Sequence, residues 1–307
     1  MEQFWRLQPL TSELQTARLR RLRAEYPFVY SKTLTKTAHG RAVEALQIGQ
    51  GDTKLLLTAG HHANEYITSM MLWELIERYC RALCCGGTFG GVPAGELYHN
   101  AMIYAVPMVN PDGIDLVTGA IAPDSTEYRA AREIAARFPD IPFPSGWKAN
   151  LDGTDLNLNY PAGWDDARRI KAELGVSAPA PRDYPGPRPL SEPETMALAG
   201  YTCCVHPDLV LAWHTQGRVI YHRFGALRLP RGEQLAAAFS AVSGYALEDV
   251  PPESANGGYK DWFIDTYRKP GCTVEAGKGM NPLPLSQFPE IYRANRRILV
   301  EAMLYEP

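Results

Sequence analysis

Residues 54–59 form a nearly unbroken apolar run that ends at Gly60, and Ile67, Met71, Leu75 and Tyr79 then follow at four-residue steps. A short apolar run without polar alternates reads as a strand covered on both faces, and the four-residue recurrence reads as a helix packed beside it. Such a strand is stable only inside a sheet with helices over it, which commits the chain to an α/β architecture. The pattern recurs along the 307 residues. Strands are expected at 42–48, 102–109, 209–212, 219–221 and 272–274, and helices at 12–24, 234–242 and 289–304. With no repeat and no linker composition, one domain over residues 1–307 is expected, with the helix at about 12–25 packed as part of it.

Between these segments the signals are weaker. Asn110-Pro111-Asp112-Gly113 reads as a turn, and the Pro- and Gly-rich stretch from there to about 189 as a long irregular loop on a functional rim. Ser191 with Glu194 three positions on reads as a capping box that restarts regular structure. The glycines at 86–91 follow a helix and lack a Gly-Lys-Ser/Thr ending, so they read as a flexible loop and not as a phosphate cradle. The four arginines at 18, 20, 21 and 23 read as a solvated helix face.

Charge excludes some partners. With 31 Lys+Arg against 34 Asp+Glu the net charge is −3, which gives no electrostatic footprint for nucleic acid. No stretch approaches the roughly 18 unbroken apolar residues of a membrane span. The opening residues, Met1 to Leu7, lack the basic start and apolar run of a secretory leader, so a cytoplasmic location is the expectation. The six cysteines include two adjacent pairs and no CxxC spacing, and reduced, mostly buried thiols are expected.

The chemistry gathers where apolar strands end. Gly60-His61-His62-Ala63-Asn64-Glu65 places a His-x-x-Glu at the strand-to-helix junction, and an imidazole and a carboxylate three residues apart on a helical turn project to one side. Alone the pair is a weak signal, and two ligands are too few, because catalytic zinc takes about three protein groups and an open position. His214 closes a second apolar strand and is the best-placed third ligand among the seven histidines. Glu275 follows a third apolar strand, where a carboxylate is awkward to bury unless it has work as a base.

In order and surroundings these pieces resemble the zinc carboxypeptidase A family, the funnelins, from about residue 12 to 305. The matching segments are Gly-His-His62-Ala-Asn-Glu65-Tyr-Ile-Thr, Val-Asn110-Pro-Asp-Gly, Asp155-Leu-Asn157, the strand-end His214, Ala255-Asn-Gly-Gly-Tyr-Lys-Asp261-Trp262, and Glu275. The resemblance implies a mixed, mainly parallel eight-stranded sheet flanked by helices. It also implies one Zn2+ per chain on His62, Glu65 and His214, with Glu275 as general base.

Several departures bear on substrate. Where the family holds a terminal carboxylate with an Asn-Arg pair, this chain has Asn157-Leu158, and the arginine of the family's His-x-Arg-Glu is Asn64. Leucine cannot make the charged fork of an arginine. The arginine that polarises the scissile carbonyl falls on Lys148, which can still stabilise an oxyanion as a point charge. The family's mobile tyrosine has no match, its place being taken by Ser254. Together with Trp-Lys-Ala-Asn, His-Thr-Gln-Gly and Gly-Tyr-Lys-Asp-Trp, these departures resemble the bacterial γ-D-glutamyl-L-diamino acid peptidases of peptidoglycan stem peptides. A small peptide or muropeptide is then the implied substrate. Arg218 and Lys260 become candidates for its carboxylates, and Asp261 either meets an ammonium group or braces Lys260. A conventional metallocarboxypeptidase and a non-catalytic zinc-containing binder of wall fragments are the alternatives.

Overall fold

The computed structural model describes residues 7–307, so most of the opening stretch on which the leader reading rests lies outside the described residues. The strands are β1 (Tyr30–Lys36), β2 (Ala42–Gly49), β3 (Thr53–Ala59), β4 (Thr88–Phe89), β5 (Val92–Pro93), β6 (Ala101–Val106), β7 (Leu209–His214), β8 (Val219–Tyr221), β9 (Ala246–Leu247) and β10 (Gly271–Glu275). The helices are α1 (Ser12–Glu25), α2 (Tyr66–Cys84), α3 (Ala94–Asn100), α4 (Pro111–Val117), α5 (Thr126–Ala135), α6 (Trp164–Glu173), α7 (Pro193–Val205), α8 (Pro230–Ser243), α9 (Tyr259–Tyr267) and α10 (Phe288–Met303). Eight strands form one sheet in the order β1-β2-β6-β3-β7-β10-β8-β9, and β4 and β5 form a separate hairpin. The centre of the sheet, β6-β3-β7-β10, is parallel throughout, while β1, β2 and β8 pair antiparallel to their inner neighbours. This is the mixed, mainly parallel eight-stranded sheet expected from the sequence.

Alternation along the central strands explains both covering layers. Leu55 and Leu57 face one side and pack with Trp213, Met71 and Trp73 of α2, and Ile298 and Leu299 of α10. Leu56 faces the other side with Val210, Ala212, Leu198 of α7 and Phe263 of α9. With both faces dry, β3 needs no polar alternate, which is why its sequence is a continuous apolar run. Leu19 and Leu22 of α1 join the first layer, and Trp73 Nε1 donates to Gln15 Oε1 at 2.9 Å.

Four expectations need correction. Asn110-Pro111-Asp112-Gly113 starts a helix and not a turn: the Asn110 side chain accepts from Gly113 N at 2.9 Å and Pro111 occupies the first helical position, so turn residues serve as a cap. The stretch from 110 to 189 therefore carries α4, α5 and α6. The capping box at Ser191 is absent, since α7 begins at Pro193 with Glu192 at its cap position, and Glu194 is buried with its Oε2 unpartnered. Finally, all six cysteines are free but only Cys80 and Cys272 are buried, because Cys84, Cys85, Cys203 and Cys204 lie exposed at the ends of α2 and α7. Among the described residues no helix is long and apolar enough to cross a membrane.

Candidate active site

Three neighbouring parallel strands bring the site together. β3, β7 and β10 are adjacent and in parallel register, with Ala59 opposite Trp213 and His214 opposite Glu275, so their C-terminal ends finish at one level. Ligands in open α/β sheets gather at such an edge. Beyond β3 the chain reverses at Gly60, whose φ of +67° lies in the left-handed region that glycine adopts without strain. Its amide donates to Thr68 Oγ1 at 3.2 Å, which ties the turn to α2. His62 then precedes a single 3-10 turn, Ala63–Glu65, that leads into α2.

His62, Glu65 and His214 converge, their nearest donor atoms all lying within 4.8 Å of one another. His62 Nδ1 is 3.2 Å from His214 Nδ1, and the two rings face the two oxygens of Glu65 at 3.0 and 3.1 Å. On the far side of its ring, His62 Nε2 lies 3.1 Å from Asp155 Oδ1. A carboxylate on one ring nitrogen fixes the tautomer and turns the other nitrogen's lone pair inward, which is the outer support a metal-ligating histidine takes. Two imidazole nitrogens and a carboxylate pointing at one another form a donor set suited to zinc, so the residues fit the ion. His61 supports the set from behind, its ring stacked on His214 with centroids 5.5 Å apart and its Nε2 3.4 Å from Tyr160 Oη.

Burial opposes the charge on His62, but the carboxylates of Glu65 and Asp155 outweigh it and hold the imidazole up at about 9. Burial likewise pushes Glu65 up, and the Lys148 ammonium with His62 reverses this and keeps the carboxylate well below its usual range. At Glu275 the same two cations pull downward but do not prevail. Burial, with the charge of Glu65 adding to it, lifts its carboxyl to about 8.

A cleft of about 930 Å³ opens over this centre, and among its lining residues are His62, Asn64, Lys148, Asp155, Asn157 and Glu275. Lys148 reaches it through a loop held by Asn110, whose Nδ2 donates to the carbonyls of His61 at 3.1 Å and Ala149 at 3.0 Å. Lys148 Nζ donates to Glu65 Oε1 at 3.0 Å, so its charge is directed at the ligand set itself. Asn157 lines the cleft and accepts from Tyr259 N at 3.2 Å, fastening it to α9. Lys260 and Asp261 also line it, but both are buried and paired with each other, as the bracing alternative has it.

Arg218 is the one candidate that the structure removes from the cleft. It sits in the left-handed region at φ 58°, and its guanidinium pairs with Glu290 of α10. The tight turn between β7 and β8 directs it away from the strand ends. Residues that sequence reasoning passed over include Asp155, quoted for its motif but given no task, and Thr215 and Asn281. Thr215 N donates to Glu65 Oε2 at 3.1 Å, and Thr215 Oγ1 donates to Asn281 Oδ1 at 2.7 Å. Only the position of Thr215 directly after His214 marks it in the sequence.

A donor triad that could hold a metal ion, at the C-terminal edge of a mixed eight-stranded sheet, beneath an open cleft and beside the half-buried carboxylate of Glu275, is the arrangement a metallopeptidase of the carboxypeptidase type requires. The chain belongs to the zinc carboxypeptidase family, whose model matches residues 16–297. It is 39% identical over 275 residues to "Gamma-D-glutamyl-L-diamino acid endopeptidase 1" of Lysinibacillus sphaericus, covering 90% of this chain and 67% of that protein. It is 36% identical over 284 residues to "Uncharacterized protein YqgT" of Bacillus subtilis, covering 91% of this chain and 73% of that protein. Among solved structures, bovine thrombin-activatable fibrinolysis inhibitor superposes with a TM-score of 0.71 at 17% identity over 97% of each chain, a likeness of fold.

Proposed function

We propose that this chain is a zinc-dependent peptidase that hydrolyses the amide between a γ-D-glutamyl residue and a diamino acid in peptidoglycan stem peptides. The observation that carries the reading is a donor triad that could hold a metal ion, with Glu275 beside it, under a cleft without the charged carboxylate fork: Leu158 stands beside Asn157, and Asn64 stands between His62 and Glu65. The 39% identical relative named as a γ-D-glutamyl-L-diamino acid endopeptidase supports the choice of bond.

His62, Glu65 and His214 would hold the zinc, which when bound supplies a Lewis acid to the carbonyl and to water. With the metal bound His62 would be neutral, and Asp155 would keep its remaining proton on Nε2, leaving Nδ1 as the ligand atom. Glu275, at the end of β10 beside the donor triad, takes the proton of the attacking water as the new C–O bond forms. As the C–N bond breaks, Glu275 passes that proton to the leaving amine. Lys148 offers its ammonium to the negative charge that develops on the carbonyl oxygen.

Kinetics on two isomeric peptides test the bond choice. L-Ala-γ-D-Glu-diaminopimelate should be cut at the γ-amide, while the isomer linked through the α-carboxyl of D-Glu should turn over at least about tenfold more slowly. Efficient release of C-terminal amino acids from ordinary peptides, with the γ-linked peptide left intact, would favour a conventional carboxypeptidase instead.

A further inference from the structure

Among the described residues, four cationic side chains line the cleft: Lys148, Lys171, Arg182 and Lys260. Three have their donors engaged. Lys148 Nζ meets Glu65 Oε1 at 3.0 Å and Lys171 Nζ meets Asp183 Oδ1 at 2.6 Å. Lys260 pairs with Asp261 and donates to the Arg223 carbonyl at 2.5 Å. Arg182 differs, because only its Nε is bonded, to Asp183 Oδ2 at 2.9 Å. Both terminal NH2 groups of its 43% exposed side chain stay available.

The segment around Arg182 is held far more firmly than a solvated surface arginine requires. The Pro181 carbonyl accepts from Lys148 N at 2.8 Å and from Ala149 N at 3.0 Å. Asp183 N donates at 3.1 Å to Asp155 Oδ2, and the other oxygen of that carboxylate meets His62. Asp183 itself adopts φ 70°, a left-handed conformation that Asp tolerates better than most residues. Lys171 and Arg182 both hold its carboxylate. The Arg182 guanidinium also lies near enough to the Lys148 ammonium to oppose its charge. The two terminal nitrogens of Arg182 are the cationic donors on this wall that remain open to an anion.

The peptidase reading above supplies one. A γ-linked glutamyl residue presents a free α-carboxylate that hydrolysis leaves untouched, and neither Leu158 nor Asn64 carries a charge to receive it. We propose that Arg182 is a specificity-determining residue that receives this α-carboxylate through its two terminal nitrogens, while Asp183 fixes the plane of the guanidinium. A planar fork meeting a carboxylate is the geometry arginine supplies best. This inference rests on the proposed bond choice and adds the recognition of the acyl side.

The test crosses a substrate change with a protein change. kcat/KM is measured on L-Ala-γ-D-Glu-diaminopimelate and on its α-amide, the isoglutamine peptide, with the wild type, Arg182→Gln and Arg182→Lys. The wild type should favour the carboxylate by about 10- to 100-fold. Arg182→Gln should lower activity on the carboxylate peptide at least about tenfold more than on the amide, and Arg182→Lys should restore part of the preference. Equal wild-type rates on acid and amide overturn the proposal without any variant, and so does an equal loss on both substrates in Arg182→Gln. A wild type that cuts neither γ-linked peptide while trimming ordinary C-termini overturns the bond choice instead, so the two failures are distinguishable.

Discussion

Glu275 and Glu65 weigh on each other's charge, and their different surroundings give them different work. Lys148 and His62 hold the Glu65 carboxyl well below its usual range, which suits the ligand role proposed for it, whereas burial raises that of Glu275, proposed as the base. Replacing Glu275 with Gln should leave one zinc per chain by elemental analysis while turnover falls by about 10²- to 10⁴-fold. Replacing His214 with Ala should lower zinc content itself, measured after dialysis against buffered metal. Near-normal rates in the Glu275 variant would refute its role as base. His214 and Glu275 were legible because each closes an apolar strand, where a polar side chain has no packing reason to be, and Glu65 because it stands three residues after His62 at a strand-to-helix junction. Arg218 was misplaced and Asp155 lacked a task for the opposite reason. Where their side chains point depends on turns and on chain brought in from far away, which local pattern does not encode.

At the scale of elements, the strands that carry the ligands were readable and the connections between them were not. β3, β7 and β10 announce themselves by apolar runs, but the edge strand β1, with sequence Tyr-Ser-Lys-Thr-Leu-Thr-Lys, is mostly polar and no more than half-buried. Likewise α4 was hidden because its cap, Asn110 before Pro111, uses the residues of a turn. Two substitutions probe how such connections hold the site. Gly257 lies at φ +77°, and a Cβ there would stand 2.8 Å from the Leu158 carbonyl oxygen. Gly257→Ala should therefore destabilise by about 1–3 kcal/mol in denaturant unfolding, by forcing apart α9 and the Asn157 turn. Glu194 on α7 tests pH dependence. Burial raises its carboxyl to about 8 from an ordinary 4.5, so the folded state binds its proton more tightly than the unfolded state does. That contribution to stability is full below about pH 4.5 and is lost as the pH rises through about 8. Glu194→Gln should flatten the fall of the melting temperature across this window; an unchanged slope would contradict the assignment.

For the molecule as a whole, the parallel centre of the sheet ends along one edge and the loops beyond it build a single cleft about the donor triad. The layered α/β plan was legible because both faces of β3 are apolar, and the mixed eight-stranded sheet followed from the resemblance carried by the ordered motifs. Of the cleft wall, Lys148 was named through the resemblance and its stretch read as a rim, whereas Arg182 and Asp183 were not, because they come from sequence without periodicity. On the proposed reading, substrate recognition lies mainly in the part of the chain with the least periodic sequence, as is common where loops on a rigid scaffold do the binding. The most direct measurement is mass spectrometry of defined muropeptides digested with and without a zinc chelator. Products split between γ-D-glutamate and the diamino acid, formed only in the absence of chelator, are the expected result. Cleavage at another bond, or cleavage indifferent to chelation, would contradict the function proposed for this site.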